Sequence, residues 1–281
     1  MKHTLLHGCL LTVLAQFSAE AQSRFAKQEE AVLKEGLALY QSERASWVAT
    51  DLLVARQTDM STLGGYITYA DGDSVRTVFV ARGAAAEPLA VSHAFSFPRN
   101  FEITPSSGRI CAARPTSERE RRLFAIRKQV FEELVQPTKS KAYTFPDRTR
   151  PNVILLDDGP KPRAYVLVGP QEEGVLPIGN DLLMTFSAKG QLETVERLHN
   201  TYIAMRMPEK AKTVEAAMHS HLPAHPYITP TDICSLLLYR NTLPVDTHLV
   251  IGQKYVSIFN VAQKHVLIME KKAFDKMMDS R

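Results

Sequence analysis

With 281 residues, 44% of them hydrophobic and 23% charged, the chain has the makeup of a globular protein of one or two domains with their own cores, and extended disorder is excluded. The net charge of +4 is spread along the chain. Lys and Arg alternate with Asp and Glu instead of forming a stripe, so no nucleic-acid partner is expected.

Residues 1–22 read as a secretory signal peptide, with Lys2 in the charged region, an apolar run from Leu5 to Phe17 and small residues at Ser18, Ala19 and Ala21. Ala19-Glu20-Ala21 fits an A-x-A cleavage site, which predicts an exported protein, periplasmic or secreted. A buried N-terminal helix is the other reading of that run. It is too short to span a bilayer, and no later stretch reaches that length, so no membrane span is expected after signal removal. Cys9 lies inside the run, away from the cleavage point, so no lipid anchor is expected. The remaining cysteines, Cys111 and Cys234, are either a disulfide or two buried thiols.

From Arg24 to about Leu53 the apolar residues recur near the 3.6-residue helical period. Gly36 weakens the middle, and two helices meeting near Ser42 are an alternative to one. Trp47 is expected to anchor a core or an interface. The next segment, YITYADGDSVRTVFVAR, is two β-rich runs around Asp71-Gly72-Asp73, a hairpin signal. Ala84 to Pro98 reads as loop-like, with Phe95, Phe97 and Phe101 packing a short strand. Thr116-Ser117 followed by Glu120 reads as a capping box that launches a helix from about Glu118 to Val135. Its arginines and its acids Glu118, Glu120, Glu132 and Glu133 are expected on a solvated, salt-bridged face. Prolines between Pro137 and Pro151 mark a soft boundary. Residues 23–150 then form a helix-hairpin-helix α+β layer, and 151–281 a second domain.

Beyond that boundary the strands become denser. NVILLDD and AYVLVG flank a turn, and Asp181 to Phe186 and Gln191 to Leu198 form a hairpin. NTYIAM and KTVEAAMHSHL follow. A helix begins at Pro230 with Ile233, Leu236 and Leu237 on one face. HLVIG, YVSIFNV and HVLIM are further strands, and Lys271 to Met278 is a short terminal helix.

The chemistry concentrates in Ala217 to Asp232. His219 and His221 on one strand share a face by the period of two, so both imidazoles can address one divalent ion. Seven residues later, Thr229-Pro230-Thr231-Asp232 reads as a helix start that brings a carboxylate to the same ion. Two histidines and one carboxylate leave a tetrahedral ion an open position, as in hydrolytic zinc sites. Helix initiation alone accounts for Thr229, Pro230 and Asp232, but not for two co-facing histidines just upstream.

The spacing HxH, seven residues, TxxD resembles the JAMM motif of the JAB1/MPN metalloprotease superfamily, and the flanking LLMTFSAKGQLETVERL and HLVIGQKYVSIFNV resemble its bacterial RadC-like branch over about 80 residues. The resemblance implies a mixed-sheet JAMM/MPN-like domain, of the cytidine-deaminase-like type, over 151–281. It further implies Zn2+ on His219, His221 and Asp232, and Thr229 in the place of the family's serine, donating to an oxyanion. The family's general-base glutamate aligns with Gly179-Asn180, so Asp181, the nearest carboxylate of the same strand parity, is the candidate base. Glu172, Glu173 and Glu215 are further candidates, while Glu193 and Glu196 belong on a solvated hairpin face. His199 and His225 are expected in loops, His225 with the option of orienting a ligand. The family's helix before the HxH strand is shortened, with only Met205 to Val214 for it, and Leu222-Pro223 follows the second histidine where the family has proline directly.

The resemblance implies an exported zinc hydrolase of amide bonds, with peptide, isopeptide or cell-wall crosslinks as substrate. A non-catalytic MPN-like binding module without its base, and a structural envelope protein, are the alternatives.

Overall fold

A computed structural model describes residues 24–83, 89–100, 102–136, 143–209 and 214–280, and for 19–23 the backbone alone. The apolar run of the predicted signal peptide lies outside the described residues. Among those described, no helix is long and apolar enough to cross a membrane. The protein is α+β, with four α-helices and several antiparallel or mixed sheets among the described residues.

The first helix, α1 (Ala19–Ala55), is continuous through Gly36 and Ser42. Strands β1 (Leu63–Asp71) and β2 (Ser74–Ala81) form the expected hairpin, Asp71 pairing with Ser74. Gly72, with φ 58, supplies the positive φ at the first turn position that a II′ connection requires. The segment expected to be loop-like instead holds a nine-residue strand, β3 (Ala90–Pro98), paired along β2. Val91 and Ala94 pack in one cluster and Phe95 and Phe97 in another, all four buried, and this packing outweighs the weak local signal. Short strands β4 (Arg109–Cys111) and β5 (Arg114–Pro115) both pair with β3. Helix α2 (Glu118–Val135) starts where the capping box places it, with Ser117 and Glu120 each bonding the other's backbone N–H.

Two sheets follow. One has the order β10-β9-β7-β6, from β6 (Thr149–Leu156), β7 (Arg163–Pro170), β9 (Leu182–Phe186) and β10 (Leu192–Arg197), all antiparallel. The other pairs β8 (Val175–Gly179) with β11 (Tyr202–Arg206). The last sheet runs β12 (Val214–Ser220), β13 (Val245–Ile251), β14 (Tyr255–Asn260) and β15 (His265–Glu270). Its β12 and β13 are parallel and the rest antiparallel. The parallel pair needs a crossover, and the chain between its strands carries α3 (Pro230–Leu238). Helix α4 (Lys271–Asp279) ends the chain.

By contacts the chain divides into two compact units. One comprises the chain up to Glu35, Val214–Thr229 and Val245–Arg281, and the other Gly36–Thr213 with Pro230–Pro244. In the larger unit Leu123, Ile126, Val130 and Leu134 of α2 pack with Ile67 and Val78 of the first sheet and Val153, Val166 and Met184 of the second. Ala45, Val48, Ala49 and Leu53 of α1 pack with Phe79, Phe95 and Phe97. A third cluster joins Leu39, Ile154, Tyr165, Leu167, Leu198 and Cys234. Cys111 and Cys234 are both free thiols, and burial pushes the Cys234 thiol well up. In the smaller unit Phe25 meets Tyr227 and Tyr255 edge-on, and Val250, Val256, Phe259, Val266 and Ile268 of the sheet are buried.

The solvated face expected for α2 is corrected at two positions. Glu120 and Glu133 are buried, at 0% and 4% exposure. Arg114 forks onto Glu120 at 2.7 and 2.8 Å, and Tyr143 donates to Glu133 at 3.0 Å, so each carboxylate is buried with partners.

Candidate metal centre

In the smaller unit, β12 carries His219, and His221 follows directly after its last residue, Ser220. Both rings are buried, each at 6% exposure. The shared facing read from their spacing holds, with the two Nε2 atoms 2.8 Å apart. His221 Nδ1 lies 2.8 Å from the Tyr227 carbonyl and 3.0 Å from that of His225. A carbonyl only accepts, so Nδ1 carries the hydrogen and, in the neutral ring, Nε2 is a lone pair. His219 Nδ1 lies 2.7 Å from His248 Nε2. His219 therefore either donates from Nε2 to His221 and accepts at Nδ1 from His248, or donates from Nδ1 to His248 and turns its Nε2, a second lone pair, on a shared cation. The latter, with each outer nitrogen held by a hydrogen-bond partner, is how metal-binding histidines are held. The residues present thus fit a metal.

His225 serves through its backbone carbonyl. Thr229, 5% exposed, immediately precedes α3. The chain around it is fixed by the Ile228 N–H, which donates to Ser257 Oγ at 3.1 Å.

In the larger unit, Asp232 lies in the first turn of α3, 1% exposed. Asp181 precedes β9 and is 2% exposed. Its Oδ1 lies 2.6 Å from His199 Nδ1, and His199 Nε2 is 3.5 Å from Asp232 Oδ1. His199 thus stands between two buried carboxylates. Burial opposes its charge most strongly, but the Asp232 charge and the Asp181 hydrogen bond outweigh it and raise its pKa to about 9. His199 does lie in a loop, the β10–β11 connection, yet its side chain is only 9% exposed. The other acids named from sequence lie elsewhere. Glu172 pairs with Arg148 and Arg206, Glu193 with Lys161, and Glu173, Glu196 and Glu215 are exposed.

Each within its own unit, His219 with His221 and His199 with Asp232 are donor types that could ligate a metal ion. Sequence reasoning singled out three of the four. His199 has no motif around it, and its role is visible only through Asp181 and Asp232. His248, 0% exposed, was also passed over. It is a histidine at an inward position of an apolar strand, in alternation with Val250, and that was a usable signal.

No protein-family model, curated protein or solved structure matches this chain.

Proposed function

We propose that the chain is a zinc-dependent hydrolase of amide bonds, in peptide, isopeptide or cell-wall crosslinks, built on a JAMM-like site and exported by its N-terminal segment. The observation that carries this reading is the His219–His221 pair, whose Nε2 atoms face each other at 2.8 Å while each Nδ1 has a partner of its own. The HxH-x7-TxxD spacing adds Asp232 to the ligand set and gives Thr229 the role of oxyanion donor. Bound zinc supplies Lewis-acid activation of water and of the amide carbonyl. The chain holds the ion, orients both imidazoles and buries the ligands.

One observation favours a second reading, a metal-holding MPN-like module without hydrolytic activity. The Asp181 Oδ1 is engaged by His199, so the carboxylate nearest the family's base position is already bonded to a neighbour. Metal content and hydrolysis together separate the readings. The first expects about one zinc per chain, a metal-free His221→Ala protein, and chelator-sensitive cleavage of at least one of the three amide classes. Zinc without cleavage of any of them assigns the second reading. A folded native protein that takes up no zinc overturns both.

A further inference from the structure

We infer that Ser257 is a positioning residue for the metal site, setting through one peptide group which nitrogen of His221 is turned on the ion. The inference deepens the proposed function and rests on its metal-binding part, and every residue it uses lies in the smaller unit.

His221 Nδ1 donates to the Tyr227 carbonyl at 2.8 Å, and the N–H of the next residue, Ile228, donates to Ser257 Oγ at 3.1 Å. That carbonyl and that N–H belong to a single peptide group, which resonance keeps planar and which, in the trans form, points its two ends in opposite directions. Anchoring the N–H therefore aims the carbonyl. Ser257 and Ile228 are 0% and 2% exposed, so an Ile228 N–H deprived of Ser257 has to find another acceptor or bear the cost of a buried unmade bond.

The same hairpin holds the loop at two more points. Tyr255, two residues before Ser257 and so on the same side of β14, packs its ring 4.9 Å from that of Tyr227. At the β13–β14 turn, a Cβ on Gly252 would come within 2.9 Å of the Pro226 carbonyl oxygen, so the turn lies directly against the loop.

A neutral imidazole carries its hydrogen on one nitrogen only. The Tyr227 carbonyl, together with that of His225 at 3.0 Å, draws it to Nδ1. Nε2, which faces His219 Nε2 at 2.8 Å, is then the lone-pair nitrogen that a metal requires. Ser257 does this without touching the ring.

The test reads the tautomer and the metal separately. Long-range proton–nitrogen NMR on the metal-free protein, at a pH where the ring is neutral, reports which His221 nitrogen carries the hydrogen. Ser257→Ala removes the acceptor, while Ser257→Cys nearly keeps the volume but offers only a weak sulfur acceptor. Both variants, their fold checked by circular dichroism, are expected to move His221 from a single Nδ1–H tautomer to a mixture. Both are also expected to weaken zinc binding about 10-fold, the His225 carbonyl retaining part of the preference. An unchanged tautomer in both variants, or a shifted tautomer with unchanged zinc affinity, overturns the inference and leaves the zinc site standing. A wild-type protein that takes up no zinc is a different result, and it overturns the metal reading on which the inference rests.

Discussion

Gly36, in the interior of α1, lies so close to Ile233 of α3 that a Cβ added there would come within 2.7 Å of both the Ile233 Cβ and Cγ2. These atoms sit next to the backbone of a β-branched residue, which cannot rotate out of the way. Elsewhere in a helix, Gly→Ala gains about 1 kcal/mol. Here overpacking outweighs that gain, and Gly36→Ala is expected to lose about 1–2 kcal/mol net in denaturant unfolding. The pair is coupled. In an Ile233→Ala background, itself costing about 2–5 kcal/mol, adding Gly36→Ala is expected to recover stability. Additive losses would mean that the two positions do not press on each other.

Two buried glutamates are expected to act in opposite directions with pH. Burial raises the Glu120 pKa, but Arg114, the Ser117 N–H and Tyr69 more than compensate and bring it to about 2. A depressed folded pKa means stability that is fully present above about pH 4.5 and lost as pH falls through about 2. Glu120→Gln is therefore expected to cost about 3 kcal/mol at pH 7 and progressively less in acid. Glu43 is raised by burial against the Trp47 hydrogen bond. Its folded form holds the proton more tightly than the unfolded chain, so it lowers stability as pH rises past the ordinary glutamate range. Glu43→Gln is expected to be neutral in acid and to gain on wild type above pH 4.5. Urea melts of both variants across pH 2–8 give the two slopes, and parallel profiles would contradict the assignments.

What could be read from sequence was local. The Ser117–Glu120 capping box and the Asp71–Ser74 hairpin are decided within a few residues, and both form where expected. The facing of His219 and His221 follows from strand period alone. The features missed depend on distant partners. Gly36 suggests a weak helix until Ile233 is seen against it. Glu120 reads as a capping residue on a solvated face until Arg114 and Tyr69 close over it. His199 is an ordinary loop residue by sequence, and only the fold brings it between Asp181 and Asp232.

His248 gives the proposed metal site a test away from its ligands. Its Nε2 is 2.7 Å from His219 Nδ1, and its ring is fully buried on β13. A glutamine places an amide near the Nε2 position and can keep the bond, whereas leucine cannot. His248→Leu is expected to lower zinc affinity about 10–100-fold, and His248→Gln to stay within a few-fold of wild type. Competition against a chromophoric chelator measures both. Equal affinity in the leucine variant would show that His219 needs no partner at Nδ1.

The glutamate that the proposed JAMM-like site lacks has a backbone reason for its absence that can be tested. At the aligned positions Gly179 has φ 83 and Asn180 φ 54, a region that glycine and asparagine tolerate and most residues do not. A Cβ on Gly179 would meet the Thr201 carbonyl oxygen at 2.3 Å. The Asn180 amide donates to Thr144 O at 3.1 Å and accepts from Arg197 at 3.1 Å. An acid cannot be restored at either place without moving the turn that sets Asp181. Gly179→Glu is expected to lose about 3 kcal/mol or more from the clash and the strained φ. Asn180→Glu is expected to lose about 1–2 kcal/mol through the left-handed backbone and the lost donation to the Thr144 carbonyl. Neither is expected to gain amide hydrolysis. A Gly179→Glu protein as stable as wild type and more active would show that the turn is free to carry the base, and that this chain differs from the JAMM pattern by a single side chain.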